Sequence, residues 1–268
     1  MIRDITLGQY FPGNSAIHRL DPRTKLLGMI AYIVIVFLID SLPLFLLPAV
    51  FVLLTAMLAK LPLSYLVKSL KPIRLLLIFM FVINLFMVKT GDALIEWSFI
   101  RITEGGVWQA VFITLRLILL LLGTSLMTLT TTPIALTDGM EKLLTPLSKL
   151  GFPAHELSMM MTIALRFIPT LIEEADKIMK AQMARGADFE SGNLIRRAKS
   201  MVPVLVPLFI SAFRRADELA MAMESRCYHG GEGRTRMHIL KLRAPDGFAA
   251  LTLAVMTAAI ILGERLLF

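Results

Sequence analysis

Cysteine is almost absent from this chain of 268 residues, Cys227 being the only one. A single thiol excludes an intrachain disulfide and a cysteine-based zinc site. Enzyme signatures are missing too: there is no His-Glu-x-x-His, no glycine-rich phosphate loop and no Gly-x-Ser-x-Gly. Without a phosphate loop the chain itself is expected neither to bind nor to hydrolyse ATP, and no cofactor is expected. The four histidines, His18, His155, His229 and His238, lie scattered outside the apolar runs and read as hydrogen-bonded or solvated rather than metal-bound. The polar stretch from Met1 to Arg23 lacks the short apolar core and small-residue cleavage site of a signal peptide, so the first apolar run is expected to remain as a membrane helix. Charge is scarce, at 18% of residues, while 56% are hydrophobic and the mean hydropathy is +0.73. Soluble domains rarely carry so much apolar content, and the leading class is a membrane protein. The net charge of +8 is modest for nucleic-acid binding and fits basic cytoplasmic loops instead.

What is present is a set of apolar runs at about Leu26–Ile39, Leu44–Ala59, Leu75–Val88, Val107–Thr130 and Phe248–Leu262. The first two fall short of the roughly 20 residues that span a ~30 Å hydrocarbon layer, so they extend into their flanks, tilt or thin the bilayer. Asp40-Ser41-Leu42-Pro43 reads as a tight turn between them. Arg19, Arg23 and Lys25 precede the first run, and Lys60, Lys68, Lys71 and Arg74 separate the second from the third. The lysine and arginine bias places both groups inside, and the loop from Lys89 to Glu104 outside. Residues 131–246 then lie in the cytoplasm, and a last helix exits.

The cytoplasmic stretch divides into three helical pieces. Thr132-Pro133 reads as an N-cap followed by proline at the first helical position. Gly151-Phe152-Pro153 breaks the chain and starts the second piece. Its stripe is Leu157, Met161, Ala164, Ile168, Leu171, Ala175 and Ile178, at steps of three and four. Gly186, suited to a left-handed C-terminal turn, ends it. Asn193 is placed to cap the third piece, with a stripe at Leu194, Ala198, Met201, Leu205, Leu208, Ala212, Ala216, Leu219 and Met223. Each long piece has about 30 residues, hence about 45 Å. Pro169, Pro203 and Pro207 should kink these helices. Leu157–Ile172 and Val202–Phe213 rival the membrane segments in apolarity, but Arg166 in the first and the short length of the second favour buried or interface-lying helices.

Few residues are candidates for function. Arg185 and Arg226 each fall in the last turn of a long helix, where the macrodipole favours positive charge. A purely local role satisfies that. A planar guanidinium flanked by small residues (Ala184 and Gly186, Ser225 and Cys227) also suits bidentate bonding to a partner's carboxylate in a groove. Arg116, inside the fourth apolar run, either faces the bundle interior or a partner subunit, or snorkels to an interface. Glu173-Glu174 and Asp217-Glu218 read as solvated polar faces, since adjacent helical residues point about 100° apart.

The chain resembles the transmembrane T component of energy-coupling factor (ECF) transporters, ABC-type importers of vitamins and metal ions in bacteria and archaea. The residues that carry the resemblance are His18-Arg19-Leu20-Asp21-Pro22-Arg23-Thr24-Lys25, Thr131-Thr132-Pro133, Leu136-Thr137-Asp138-Gly139, Leu165-Arg166-Phe167-Ile168-Pro169 with Glu174, and Ala184-Arg185-Gly186. It covers essentially the whole chain, and its pattern is that of the shared-module type. The resemblance implies an all-α membrane protein of about five transmembrane helices plus three cytoplasmic coupling helices, two of them long and amphipathic. It also implies that the two arginine motifs dock on two ABC-type ATPase subunits and that a substrate-binding S component sits beside the bundle in the membrane. The family's second motif is commonly Ala-Arg-Gly. Here Ser225-Arg226-Cys227 stands in its place, and the chain break is expected a few residues later, at Gly230-Gly231.

These readings converge on a non-catalytic coupling subunit in the bacterial plasma membrane, with the N-terminus and coupling helices cytoplasmic. Residues 1–130 carry the first four membrane helices, 131–246 the coupling region, and 247–268 a final helix packed with 26–130. The alternative is a stand-alone secondary transporter, which would show an internal repeat and broken helices at the membrane midplane. An intramembrane enzyme would need clustered ionisable groups at one depth, which the runs do not contain.

Overall fold

The computed structural model describes residues 10–97, 100–189, 191, 193–231 and 240–267. His238 therefore lies outside the described residues. The protein is an all-α membrane protein in which helices follow the apolar runs. α1 spans Pro22–Phe37, α2 Leu46–Leu58, α3 Leu63–Leu70, α4 Arg74–Met87, α5 Glu104–Thr130, α6 Pro133–Leu144, α7 Ala154–Ala184, α8 Leu194–Glu224 and α9 Ala244–Leu267. Local chemistry sets their starts. Asp21 caps α1 by accepting the Arg23 N–H, with Pro22 at the first position. Thr103 caps α5 through the Gly106 N–H, and Thr132 Oγ1 accepts from the Ala135 N–H at 3.3 Å at the head of α6.

Among the described residues, three helical stretches are long and apolar enough to cross a membrane: Leu63–Met87, formed by α3, a 3₁₀ turn and α4; Glu104–Thr130; and Ala244–Leu266. Leu42–Leu58 is a shorter apolar helix, and α1 has 16 residues, in line with the short runs seen in the sequence. One small element was not foreseen. Between α4 and α5, β1 (Ala93–Trp97) pairs antiparallel with β2 (Ile100–Thr103), Trp97 opposite Ile100. Five and four residues are too few for a periodicity of two to stand out.

The described residues form two compact units, residues 10–139 with 240–267, and residues 140–231. In the first unit the core gathers Tyr32, Val36, Ile39, Phe45, Leu119 and Ile260. Tyr32 donates its hydroxyl to Leu119 O at 3.0 Å, which satisfies a polar group inside an apolar bundle. α1 and α9 run in the same direction and are pinned at both ends. At one end Asp246 accepts the Asp21 N–H at 2.8 Å and the Arg243 N–H at 2.8 Å, while Lys25 Nζ reaches Thr130 O at 2.8 Å. At the other, Glu264 accepts the backbone N–H groups of Asp40 and Ser41 at 2.8 and 3.0 Å and the Ser41 hydroxyl at 2.9 Å.

The second unit is dominated by α7 and α8, each of 31 residues. Their contacts show them to be antiparallel. Gln182 Nε2, late in α7, reaches Pro203 O, early in α8, at 3.4 Å, and the Tyr228 hydroxyl, just past α8, meets Met159 Sδ, early in α7, at 3.0 Å. The stripe expected on α8 holds only in its second half. There Leu208, Ala212, Leu219 and Met223 are half-buried and Ala216 is exposed; in the first half Ala198, Met201 and Leu205 are exposed and Val204 is buried in their stead. Asn193 occupies the N-cap of α8 without a side-chain bond.

Candidate docking site on two helix ends

The two arginine triplets close their helices in the same way. At the end of α7 the Gly186 N–H donates to Met183 O at 2.9 Å and the Ala187 N–H to Gln182 O at 2.9 Å. At the end of α8 the Cys227 N–H donates to Glu224 O at 2.8 Å and the Tyr228 N–H to Met223 O at 3.1 Å. Each pair is the Schellman arrangement, in which a left-handed residue turns the chain back onto the last carbonyls. Gly186 has φ +88° and Cys227 φ +55°. The expectation that the break would slip to Gly230-Gly231 is corrected: Cys227 itself takes the left-handed turn, and Gly230, also at positive φ, follows it. The hydrogen bonds to otherwise orphaned carbonyls of α8 offset the steric penalty that a Cβ carries in this region.

Arg185 and Arg226 thus occupy equivalent positions, immediately before the left-handed residue. Both are exposed, as are Ala184, Gly186, Ser225 and Cys227. Neither arginine has a carboxylate partner among the described residues. Because the helices are antiparallel, the two tips lie at opposite ends of the pair. Pro203, beside the α7 tip, and Arg226 are separated by about 35 Å of helical rise. One compact ligand does not reach both, whereas two separate partners do.

Arg116 is held within the chain. Its Nη2 donates to Ile39 O, an otherwise orphaned carbonyl past the end of α1, and lies 3.8 Å from Asp40 Oδ1. Its guanidinium sits 4.6 Å from the Phe112 ring centroid and 5.7 Å from that of Phe37. This is the bundle-facing alternative, and its visible work is to close α1 next to the turn that Glu264 secures.

Glu174 was missed by sequence reasoning. Read as part of a solvated face, it is half-buried instead, accepting from the Ser211 hydroxyl and from Arg215 Nη2 at 2.7 Å across the helix pair. The signal was its spacing: Glu174 follows Leu171 by three and precedes Ile178 by four, within the stripe itself. Beside this contact, a groove of about 440 Å³ runs between the helices, lined by Ile163, Phe167 and Leu171 of α7 and by Ala212, Ala216 and Leu219 of α8. The outer face of α8 is uncovered, with Val202, Leu205, Val206, Phe209, Ile210 and Phe213 each at least half exposed. Of the two alternatives expected for Val202–Phe213, buried or interface-lying, burial within the chain does not hold for these six residues.

Apolar helices of membrane-crossing length, joined to a helix pair with two free arginine tips and an uncovered apolar face, define a class: a membrane component of a larger assembly. The comparisons with known proteins name it more closely. The cobalt transport protein family (CbiQ) matches residues 13–239. The energy-coupling factor transporter transmembrane protein EcfT of Thermosediminibacter oceani is 57% identical over 263 residues, covering 98% of this chain and 99% of that protein. EcfT of Acidaminococcus fermentans is 59% identical over 262 residues, with 98% and 96% covered. EcfT of Bacillus subtilis (strain 168) is 50% identical over 258 residues, with 96% and 97% covered. The chain belongs to the EcfT family of energy-coupling factor transporter transmembrane proteins, and is a transporter membrane component that works alongside other components.

Proposed function

We propose that this chain is the non-catalytic coupling subunit of its transporter, docking two cytoplasmic ABC-type ATPases through Arg185 and Arg226 and passing their motion to a substrate-binding S component in the membrane. The observation that carries this reading is the pair of matching arginine tips at opposite ends of one helix pair. Each guanidinium is presented on a stiff helix end, flanked by Ala184 and Gly186 or by Ser225 and Cys227, and is free to enter an acidic groove. ATP hydrolysis resides in the partners, because this chain has no phosphate loop. The S component, which selects the vitamin or other micronutrient, rests against the uncovered apolar face of α8. The N-terminus and the coupling helices α6, α7 and α8 are cytoplasmic, as the basic residues at 19–25 and 60–74 favour.

The test is a pull-down of tagged protein, co-expressed with the organism's candidate ATPase subunits, as wild type and as Arg185→Glu with Arg226→Glu. Each reversal should cost about 2–5 kcal/mol of docking energy. Wild type should retain both ATPases and the double variant neither, while a single variant only weakens binding because the two contacts are tethered. An ATPase-free wild type that transports alone in liposomes would support a secondary transporter instead.

A further inference from the structure

We infer that Glu174, with Ser211 and Arg215, is the pivot that sets the angle between the two arms and so positions the two arginine tips. This inference rests on the coupling role proposed above. The surfaces that meet along α7 and α8 are mostly apolar, and several are small: Ala212, Ala216 and Ala220 face the groove opposite Ile163, Phe167 and Leu171. Apolar contact has no preferred direction, so such a surface lets one helix slide or turn on the other. A charged hydrogen bond does have direction. Glu174 receives one bond from each of two residues a single turn apart on α8, Ser211 and Arg215, and both carboxylate oxygens are used. The side chains of Glu174 and Arg215 are only 24% and 30% exposed, so the pair is partly shielded from water and from competing ions. A shift of one residue along either axis, about 1.5 Å, breaks this register.

The placement of the pair points to a pivot rather than an ordinary clip. Arg185 follows Glu174 by eleven residues, and Arg226 follows Arg215 by the same eleven. Each arm is therefore about 16 Å long. Eleven residues are about 20° past three full turns, so each arginine shares a helix face with the pivot residue of its own helix. Pro169 lies before Glu174, and Pro203 and Pro207 lie before Ser211, so every proline inside these helices is on the far side of the pivot from its tip. Both arms are uninterrupted helix, and the flexible points lie outside them. With equal rigid arms, a turn of about 10° at the clasp moves each tip by about 3 Å. Two docked partners that move symmetrically would act on it with equal leverage.

The experiment uses the full chain in nanodiscs with Glu174→Gln, Arg215→Met and the exchange Glu174→Arg with Arg215→Glu. Spin labels on the native Cys227 and on an introduced Ala187→Cys read the tip-to-tip distance. The unlabelled proteins, co-expressed with the ATPase subunits, are assayed for retained partners and for ATP hydrolysis. The expected result is a single narrow distance in wild type, a broadened one in both single variants, and a narrow one again in the exchange. Both ATPases should be retained throughout, because the tips are intact, while hydrolysis falls about fivefold in the single variants and recovers in the exchange. Single variants with the wild-type distance and rate, or an exchange that restores neither, would overturn the pivot. A wild type that retains no ATPase overturns the docking reading instead, and the distances still decide whether the clasp sets the arm angle.

Discussion

At the scale of single residues, Cys227 is where this chain departs from the simplest solution to its own geometry. The turn after α8 needs a left-handed residue, and a cysteine fills the place that glycine fills after α7. A side chain in that conformation costs about 1–2 kcal/mol, part of which glycine would lose again in unfolded-state freedom. Cys227→Gly should therefore tighten the end of α8, slowing hydrogen exchange of the Cys227 and Tyr228 amides by up to about tenfold. It should leave ATPase retention as in wild type, since Arg226 keeps its place. Faster exchange in that variant would mean that the thiol makes a contact worth more than the strain. The two arginines were legible in the sequence because each stands where an apolar stripe stops. Glu174 was not, because a carboxylate beside another carboxylate looks solvated until the facing helix supplies Ser211 and Arg215.

At the scale of elements, the start of α1 shows how a short sequence segment becomes a joint. Asp21 caps its own helix, takes the Arg23 guanidinium at 3.0 Å, and offers its N–H to Asp246 at the head of α9. Burial alone would push the Asp21 carboxyl up, but the hydrogen bonds from the Arg23 side chain and backbone, with the Arg23 charge, outweigh it and hold Asp21 below the usual carboxylate range. A lowered folded value means that the unfolded chain binds the proton more readily. The stability supplied by Asp21 is thus complete above about pH 4 and is lost as pH falls through the lowered value. Thermal unfolding in detergent should show a downward step in midpoint over that acid range, and Asp21→Asn should flatten it. An unchanged step in the variant would assign it to other carboxylates.

At the scale of the whole molecule, the informative quantity is the apolar surface left uncovered. α4 exposes Leu75, Leu76, Ile78 and Phe79, as a lipid-facing helix does, and α8 exposes Val202, Leu205, Val206, Phe209, Ile210 and Phe213. Patches of this kind mark a membrane or partner surface. The α8 patch ends at the basic pair Arg214-Arg215 and is followed by Arg226 at the end of the same helix. Val206→Asp with Phe209→Asp should abolish capture of the S component while both ATPases are retained, measured by co-purification from membranes. Loss of the ATPases in that variant, with the S component kept, would exchange the roles of tip and face.

Hydrophobic runs, helix caps and the ends of the amphipathic stripes were determined by sequence alone, because each depends on residues a few positions apart: Asp21-Pro22, Thr132-Pro133, and Gly186 after Arg185. The helical class and the two arginine tips follow from those local rules. The tertiary structure decided what depends on residues far apart in the chain. It set α7 against α8 in opposite directions, which sends the two tips to opposite ends. It turned Glu174 from a surface charge into an interhelical bond, and closed Arg116 onto the end of α1. It also imposed the left-handed turn on Cys227, where two backbone hydrogen bonds to the end of α8 outweigh the preference of the side chain.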